Sequence, residues 1–123
     1  MDKEQTVYLK SERFAVRIVK LHKYLCGCKK EFVLSKQILR SGTSISANLS
    51  EAKRASSKQD WLAKLYIALK ECSETANWLR ILNESGYLSK QEFDSIYPDC
   101  IEIEKMLTSS TKTTREQFAN ARK

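Results

Sequence analysis

Arg13, Arg17 and Lys20 stand at positions i, i+4 and i+7, with Lys10 and Lys23 alongside. On a helix this spacing sets the cations along one face, away from an apolar stripe that begins at Phe14. Lys29, Lys30 and Arg40 continue the series, and residues 10–40 hold nine Lys+Arg against only Glu12 and Glu31. The chemistry such a row can do is Coulombic. It can track phosphates, and each phosphate neutralised releases counterions and steepens the salt dependence. Arg13, Arg17, Lys20, Lys23, Lys29, Lys30 and Arg40 are therefore expected to contact nucleic acid, RNA in particular. A competing use of the same charges is pairing with the acidic fourth helix of a neighbouring subunit, where Glu92, Asp94, Asp99, Glu102 and Glu104 outnumber Lys90 and Lys105. No zinc finger, RNP-type sequence or aromatic-rich recognition motif occurs, so binding is expected to be led by the phosphate backbone rather than by base reading.

Other constellations point away from catalysis. Ser44, Asn48 and Glu51 form one polar row, and Glu71, Glu74 and Asn77 form another. Facing each other they could make an active site, but a hydrogen-bonded network that fixes helix register or a subunit contact is the preferred reading. A di-metal carboxylate bundle needs Glu-x-x-His on two helices. The single histidine, His22, is preceded three positions earlier by Val19, so no metal is expected. Cys26-x-Cys28 supplies two of the four ligands that zinc usually takes. Cys72 and Cys100 fall on apolar stripes, as small fillers would. There is no P-loop, dinucleotide fingerprint or nucleophile elbow. A non-enzymatic protein without cofactor is the expectation.

The composition sets the frame for these residues. The 123 residues suit one domain able to bury a core without disulfides, and three glycines with one proline are too few for an all-β sandwich. The net charge of +7 lies wholly in the first half: residues 1–60 hold 13 Lys+Arg against 6 Asp+Glu, and residues 61–123 hold 9 against 9. This asymmetry suggests a partner that is anionic over an area. The start MDKEQTVYLK does not read as a leader, no apolar run is long enough to span a bilayer, and the cysteines are not at disulfide-framework spacing. A reducing cytoplasm is expected, with no membrane partner.

Four helices must position these groups. Residues 1–10 lack a clear period and are expected to be a flexible N-terminus. Phe14, Ile18, Leu21 and Leu25 then mark a helix from about Ser11 that Gly27 ends. A second helix from about Ser35 to Ala55 carries Ile38, Ile45, Leu49 and Ala52. Its middle, Ser41–Ala47, is made mostly of small side chains with poor helix propensity, so tight packing must compensate. Ser57–Asp60 resembles a capping box and opens a third helix whose seam reads Leu62, Leu65, Leu69, Cys72, Ala76 and Leu79. Ser85-Gly86 closes it, and a full S-x-x-E box at Ser89–Glu92 opens a fourth with Phe93, Ile96, Cys100, Ile103 and Leu107. Pro98 is expected to kink or break that helix. The bundle is thus placed at residues 11–110, followed by a flexible basic tail, 111–123. Trp61 and Trp78 lie off the seam and are expected at an oligomer interface.

The run Ser41–Ala52 (SGTSISANLSEA) followed by Asp60–Leu79 (DWLAKLYIALKECSETANWL) resembles the four-helix bundle family associated with intervening sequences of large-subunit ribosomal RNA genes. The similarity extends from about Phe14 to Leu107. It implies an all-α, up-and-down antiparallel four-helix bundle and a ring-like homopentamer. It also implies kinship with accessory proteins of retroelement reverse transcriptases, so a nucleic-acid enzyme is a further expected partner. Pro98 and the Cys26-Gly27-Cys28 pair depart from the family pattern. The alternative to RNA is a protein-interaction scaffold whose cations meet an acidic protein.

Overall fold

The computed structural model describes residues 2–121. They form α1 (Lys3–Gly27), α2 (Leu34–Ala52), α3 (Lys58–Glu84) and α4 (Lys90–Ala121). Each helix packs on the next and α4 packs back on α1, while among the described residues the backbones of the diagonal helices stay apart. Short connections between neighbours of this kind give antiparallel up-and-down order. The core is built from the expected stripes. Phe14, Ile18 and Leu25 of α1, Ile38 and Ile45 of α2, Cys72 and Leu79 of α3, and Ile103 and Leu107 of α4 share one buried cluster, all at most 2% exposed. The thiols of Cys72 and Cys100 lie 3.8 Å apart on facing helices. The neighbouring Cys100 thiol and burial together push the Cys72 thiol well above its usual range, as suits an inert filler.

The third-helix seam differs in detail from the one read by spacing. Leu62 and Leu69 are half-buried, whereas Ala68, Thr75 and Leu82 are buried. A helix held between two neighbours buries an arc wider than a single heptad seam. Thr75 is accommodated by its hydroxyl, which donates to Ser41 Oγ at 2.8 Å across the α2–α3 contact.

The outer helices are longer than their apolar periods indicate. α1 starts at Lys3, capped by the Asp2 carboxylate accepting from Gln5 N at 2.7 Å, and Val7 and Ser11 extend the buried stripe below Phe14. α4 runs to Ala121, so the segment expected to be a flexible tail is helical up to that residue; Arg122 and Lys123 lie outside the described residues. Past Leu107 its buried positions are Ser110, Thr111 and Thr114. The spacing persists while the side chains turn polar. Thr111 returns its hydroxyl to the Thr108 carbonyl at 2.9 Å, which lets it face the core.

Of the kink or break expected at Pro98, the break does not occur. α4 is one helix of 32 residues with Pro98 inside it. Pro98 sits on the exposed side, and Asp94, four residues earlier, is exposed too. The carbonyl that loses its donor is thus one that water can reach.

The helix ends follow the capping signals. Ser89 Oγ accepts from Glu92 N at 3.1 Å while Glu92 accepts from Ser89 N at 2.8 Å, a reciprocal box. That backbone hydrogen bond holds the Glu92 carboxyl below its usual range. At α3, Ser57 Oγ accepts from Asp60 N at 3.0 Å, but the shorter Asp60 returns to Ser56 N rather than to Ser57. Gly86, at φ +86°, closes α3 with Tyr87 N donating to Leu82 O and Gly86 N to Asn83 O. Gly27 plays no such part. The left-handed residue after α1 is Lys30, at φ 56°.

Candidate nucleic-acid interface

The cationic row on α1 divides into two kinds of residue. Arg13, Lys20 and Lys23 are exposed and make no ion pair among the described residues. Arg17 is engaged by α4: one guanidinium nitrogen donates to Asp99 Oδ2 at 2.7 Å and to Ser95 O at 2.9 Å, and the other donates to Ser95 Oγ at 2.8 Å. Lys10 pairs with Glu102 at 2.8 Å. The acidic fourth helix therefore does neutralise part of the row, within the chain itself. α1 packs less closely on α4 than on α2, and Arg17 bridges α1 to α4. On one side lies a cavity of about 300 Å³ that Arg13 lines with Phe14, Asp99 and Ile103. On the other lies one of about 500 Å³ that Lys20 lines with Tyr24, Glu92 and Ile96.

The row continues into the Cys28–Val33 connection. The Lys29 ammonium lies 5.9 Å from the centre of the Tyr24 ring, and Lys30 is exposed. The carboxylate of Glu31, next in the chain, is turned onto the start of α2. One oxygen accepts from Ser35 N at 2.7 Å and the other from Val33 N at 3.3 Å. This supplies the N-terminal cap that Val33 cannot provide.

Arg40 is placed apart from the other expected contacts. Its guanidinium donates to Glu71 at 3.1 Å and to Glu74 on α3, and the Arg40 hydrogen bond holds the Glu74 carboxyl below its usual range. Trp78 Nε1 adds a bond to Glu74 at 3.2 Å. Trp61 is half-buried beside Val7, Tyr8 and Leu49, so the two tryptophans occupy different surroundings.

The two polar rows do not converge into a reactive site. Ser44 Oγ donates to Arg40 O at 2.6 Å and Asn48 to Ser44 O at 2.8 Å, both within α2, while Glu71 and Glu74 are engaged with Arg40. His22 places Nδ1 3.1 Å from Ser35 O, with Cys26 Sγ 3.7 Å from Nε2. Cys28 is exposed. Among the described residues no group of three or more His, Cys, Asp or Glu gathers as metal ligands, and no helix is long and apolar enough to cross a membrane.

Sequence reasoning passed over the apolar residues beside the cations. Phe32 is 60% exposed and Val33 is 70% exposed, and Val16 stands exposed on α1. The signal was present in Phe32-Val33, an aromatic and a β-branched residue directly after Lys29-Lys30-Glu31 and outside any helical stripe.

The bundle has recognisable relatives. No curated protein matches the chain. A crystal structure of a protein of unknown function from the S23 ribosomal protein family of Bacteroides thetaiotaomicron is similar, with 51% identity and a TM-score of 0.88. The alignment covers 90% of this chain and 99% of that one. Residues 3–109, which include all of α1, α2 and α3 and most of α4, match the family described as 23S rRNA-intervening sequence protein. The chain belongs to that family.

Proposed function

We propose that this protein is a non-enzymatic, cytoplasmic homo-oligomer, a ring of five by family resemblance, that serves as an adaptor for RNA or for an RNA-bearing enzyme such as a reverse transcriptase. Its RNA-contacting surface is the outer face of α1 together with the Lys29-Lys30 connection. The observation that carries this reading is the division of labour among the cations. Acids of α4 are taken up by Lys10 and Arg17, and the Glu31 carboxylate is turned onto backbone N–H groups at the start of α2. Arg13, Lys20, Lys23, Lys29 and Lys30 face water without an ion pair among the described residues. Exposed unpaired cations at this density suit a polyanion, and symmetry would repeat them around a ring.

Arg40 contributes less than its sequence position suggests, since Glu71 and Glu74 already neutralise it. Trp61 and Trp78 are half-buried, which suits a place at the rim of a subunit contact.

The test is competition. Full-length protein is bound to a fluorescent structured RNA at ~50 mM salt, challenged with unlabelled RNA or with polyglutamate of equal charge, and weighed in parallel by light scattering. The expected result is an oligomer from which RNA displaces the probe and polyglutamate does so at least ~10-fold less well. An oligomer that ignores RNA and binds polyglutamate overturns the RNA reading and leaves a scaffold for acidic proteins.

A further inference from the structure

We infer that the connection between α1 and α2 is a stacking platform, on which Phe32 takes the face of an unpaired nucleobase while the surrounding lysines hold its phosphates. The inference rests on the RNA reading above and narrows it: the ligand presents a single-stranded or looped segment at this end of the bundle.

The connection is rigid rather than slack. Cys28 N donates to Tyr24 O at 2.8 Å and Glu31 N to Leu25 O at 2.9 Å, tying the segment to the end of α1. The Glu31 side chain ties it to the start of α2 through Val33 N and Ser35 N, and Ser35 Oγ returns to Glu31 O at 2.8 Å. Both ends are fixed, yet Phe32 is turned outward at 60% exposure. An aromatic ring held in water by an ordered backbone loses little further freedom when a flat partner arrives.

Charge selects that partner. Lys29 and Lys30 precede Phe32, and Lys23 and Lys36 stand exposed on the adjoining turns of α1 and α2. The one acid of the segment, Glu31, is directed at backbone N–H groups. Centres of protein–protein contacts are depleted of lysine, whereas an aromatic face among cations is the recurrent arrangement for single strands, each base offering a π-face whatever its identity. An A-form duplex keeps its bases stacked and its major groove too deep and narrow for side chains, so an exposed ring of this kind has no partner on it.

The backbone at Lys30 agrees. Its φ of 56° lies in the left-handed region, where glycine would be free of the penalty a side chain incurs. Strain of this sort is kept where the side chain has a use. Here that side chain is a cation next to the proposed base.

The experiment compares two RNAs of equal length and charge, a hairpin with 2-aminopurine in its loop and a blunt duplex, at ~100 mM salt with the full chain. The variants are Phe32→Ala, Phe32→Tyr and Phe32→Leu. Wild type should favour the hairpin by about 10-fold or more and quench the 2-aminopurine, as one base stacked on an aromatic ring implies. Phe32→Tyr should keep both properties. Phe32→Ala and Phe32→Leu should lose the quench and most of the preference, with duplex affinity, salt slope and light-scattering mass unchanged. Equal binding of hairpin and duplex by wild type overturns the platform and spares the RNA reading. A fall in mass for Phe32→Ala also overturns it, by making Phe32 a subunit contact. Failure to bind either RNA overturns both.

Discussion

Arg13→Glu/Lys20→Glu/Lys23→Glu is expected to lose structured-RNA binding by at least ~100-fold at ~100 mM salt, with helix content and mass unchanged. The three residues are exposed, unpaired among the described residues, and on the outer side of α1. Their reversal removes the charges that neutralise phosphates, adds repulsion and leaves the core untouched. The salt slope should flatten by about one for each phosphate no longer neutralised, hence by about three. Arg17 is deliberately left out. Its three hydrogen bonds hold α1 to Ser95 and Asp99, so Arg17→Glu would set a carboxylate against Asp99 and open the α1/α4 seam, and any loss of binding could then reflect a loosened bundle. Binding retained by the triple variant would mean that the row on α1 is not the interface.

Gly42→Ala is expected to destabilise the protein by about 1–2 kcal/mol, against the roughly 1 kcal/mol gain that alanine brings to a helix interior. A Cβ built at Gly42 lies 2.8 Å from both Cγ1 and Cγ2 of Ile18 and 3.2 Å from its Cβ. Ile18 is fully buried and stiff at χ1 because it branches at Cβ, so it has little room to move aside and the overpacking cost dominates. Chemical denaturation at fixed protein concentration measures this, and a double-mutant cycle identifies the cause. Ile18→Ala removes both offending carbons and by itself should cost about 2–5 kcal/mol. In that background Gly42→Ala should reverse sign and stabilise. A stabilising Gly42→Ala in the wild-type background would mean that α1 and α2 are not held at this distance.

The close approach at Gly42 also shows how far the fold is legible in the sequence. The small-residue run Ser41–Ala47 announces close packing through its poor propensity, but not which helix approaches. The caps at Ser57 and Ser89 are legible because a cap is a local event, confined to a few adjacent residues. The ends of α1 and α4 are not, because the buried stripe runs on through Ser11, the expected start of the first helix, and through Ser110, Thr111 and Thr114 at and beyond the expected end of the bundle. The fit of these polar residues to a core shows only when the hydroxyls of Ser11 and Thr111 are seen bonded to their own helices. The separation of Arg17 from Arg13 and Lys20 is hidden for a different reason. All three belong to one row in sequence, and only the packing of α4, whose Asp99 is 82 residues away, divides tie from free cation. Arg40 shows the same limit, since its partners Glu71 and Glu74 read in sequence as a row facing Ser44, Asn48 and Glu51. Phe32 is visible as an aromatic in a basic connection, but its exposure is a tertiary fact.

The most direct measurement of the central claim is the affinity of the wild-type oligomer for structured RNA between ~50 and ~200 mM salt. With five exposed cations per chain each contributing about 0.7–0.9 to the slope, log Kobs should fall against log salt with a slope of about −3 or steeper. Saturable binding with that slope is the predicted result. Absence of saturable binding at ~50 mM salt, or a slope near zero, would contradict the assignment of the α1 face to RNA.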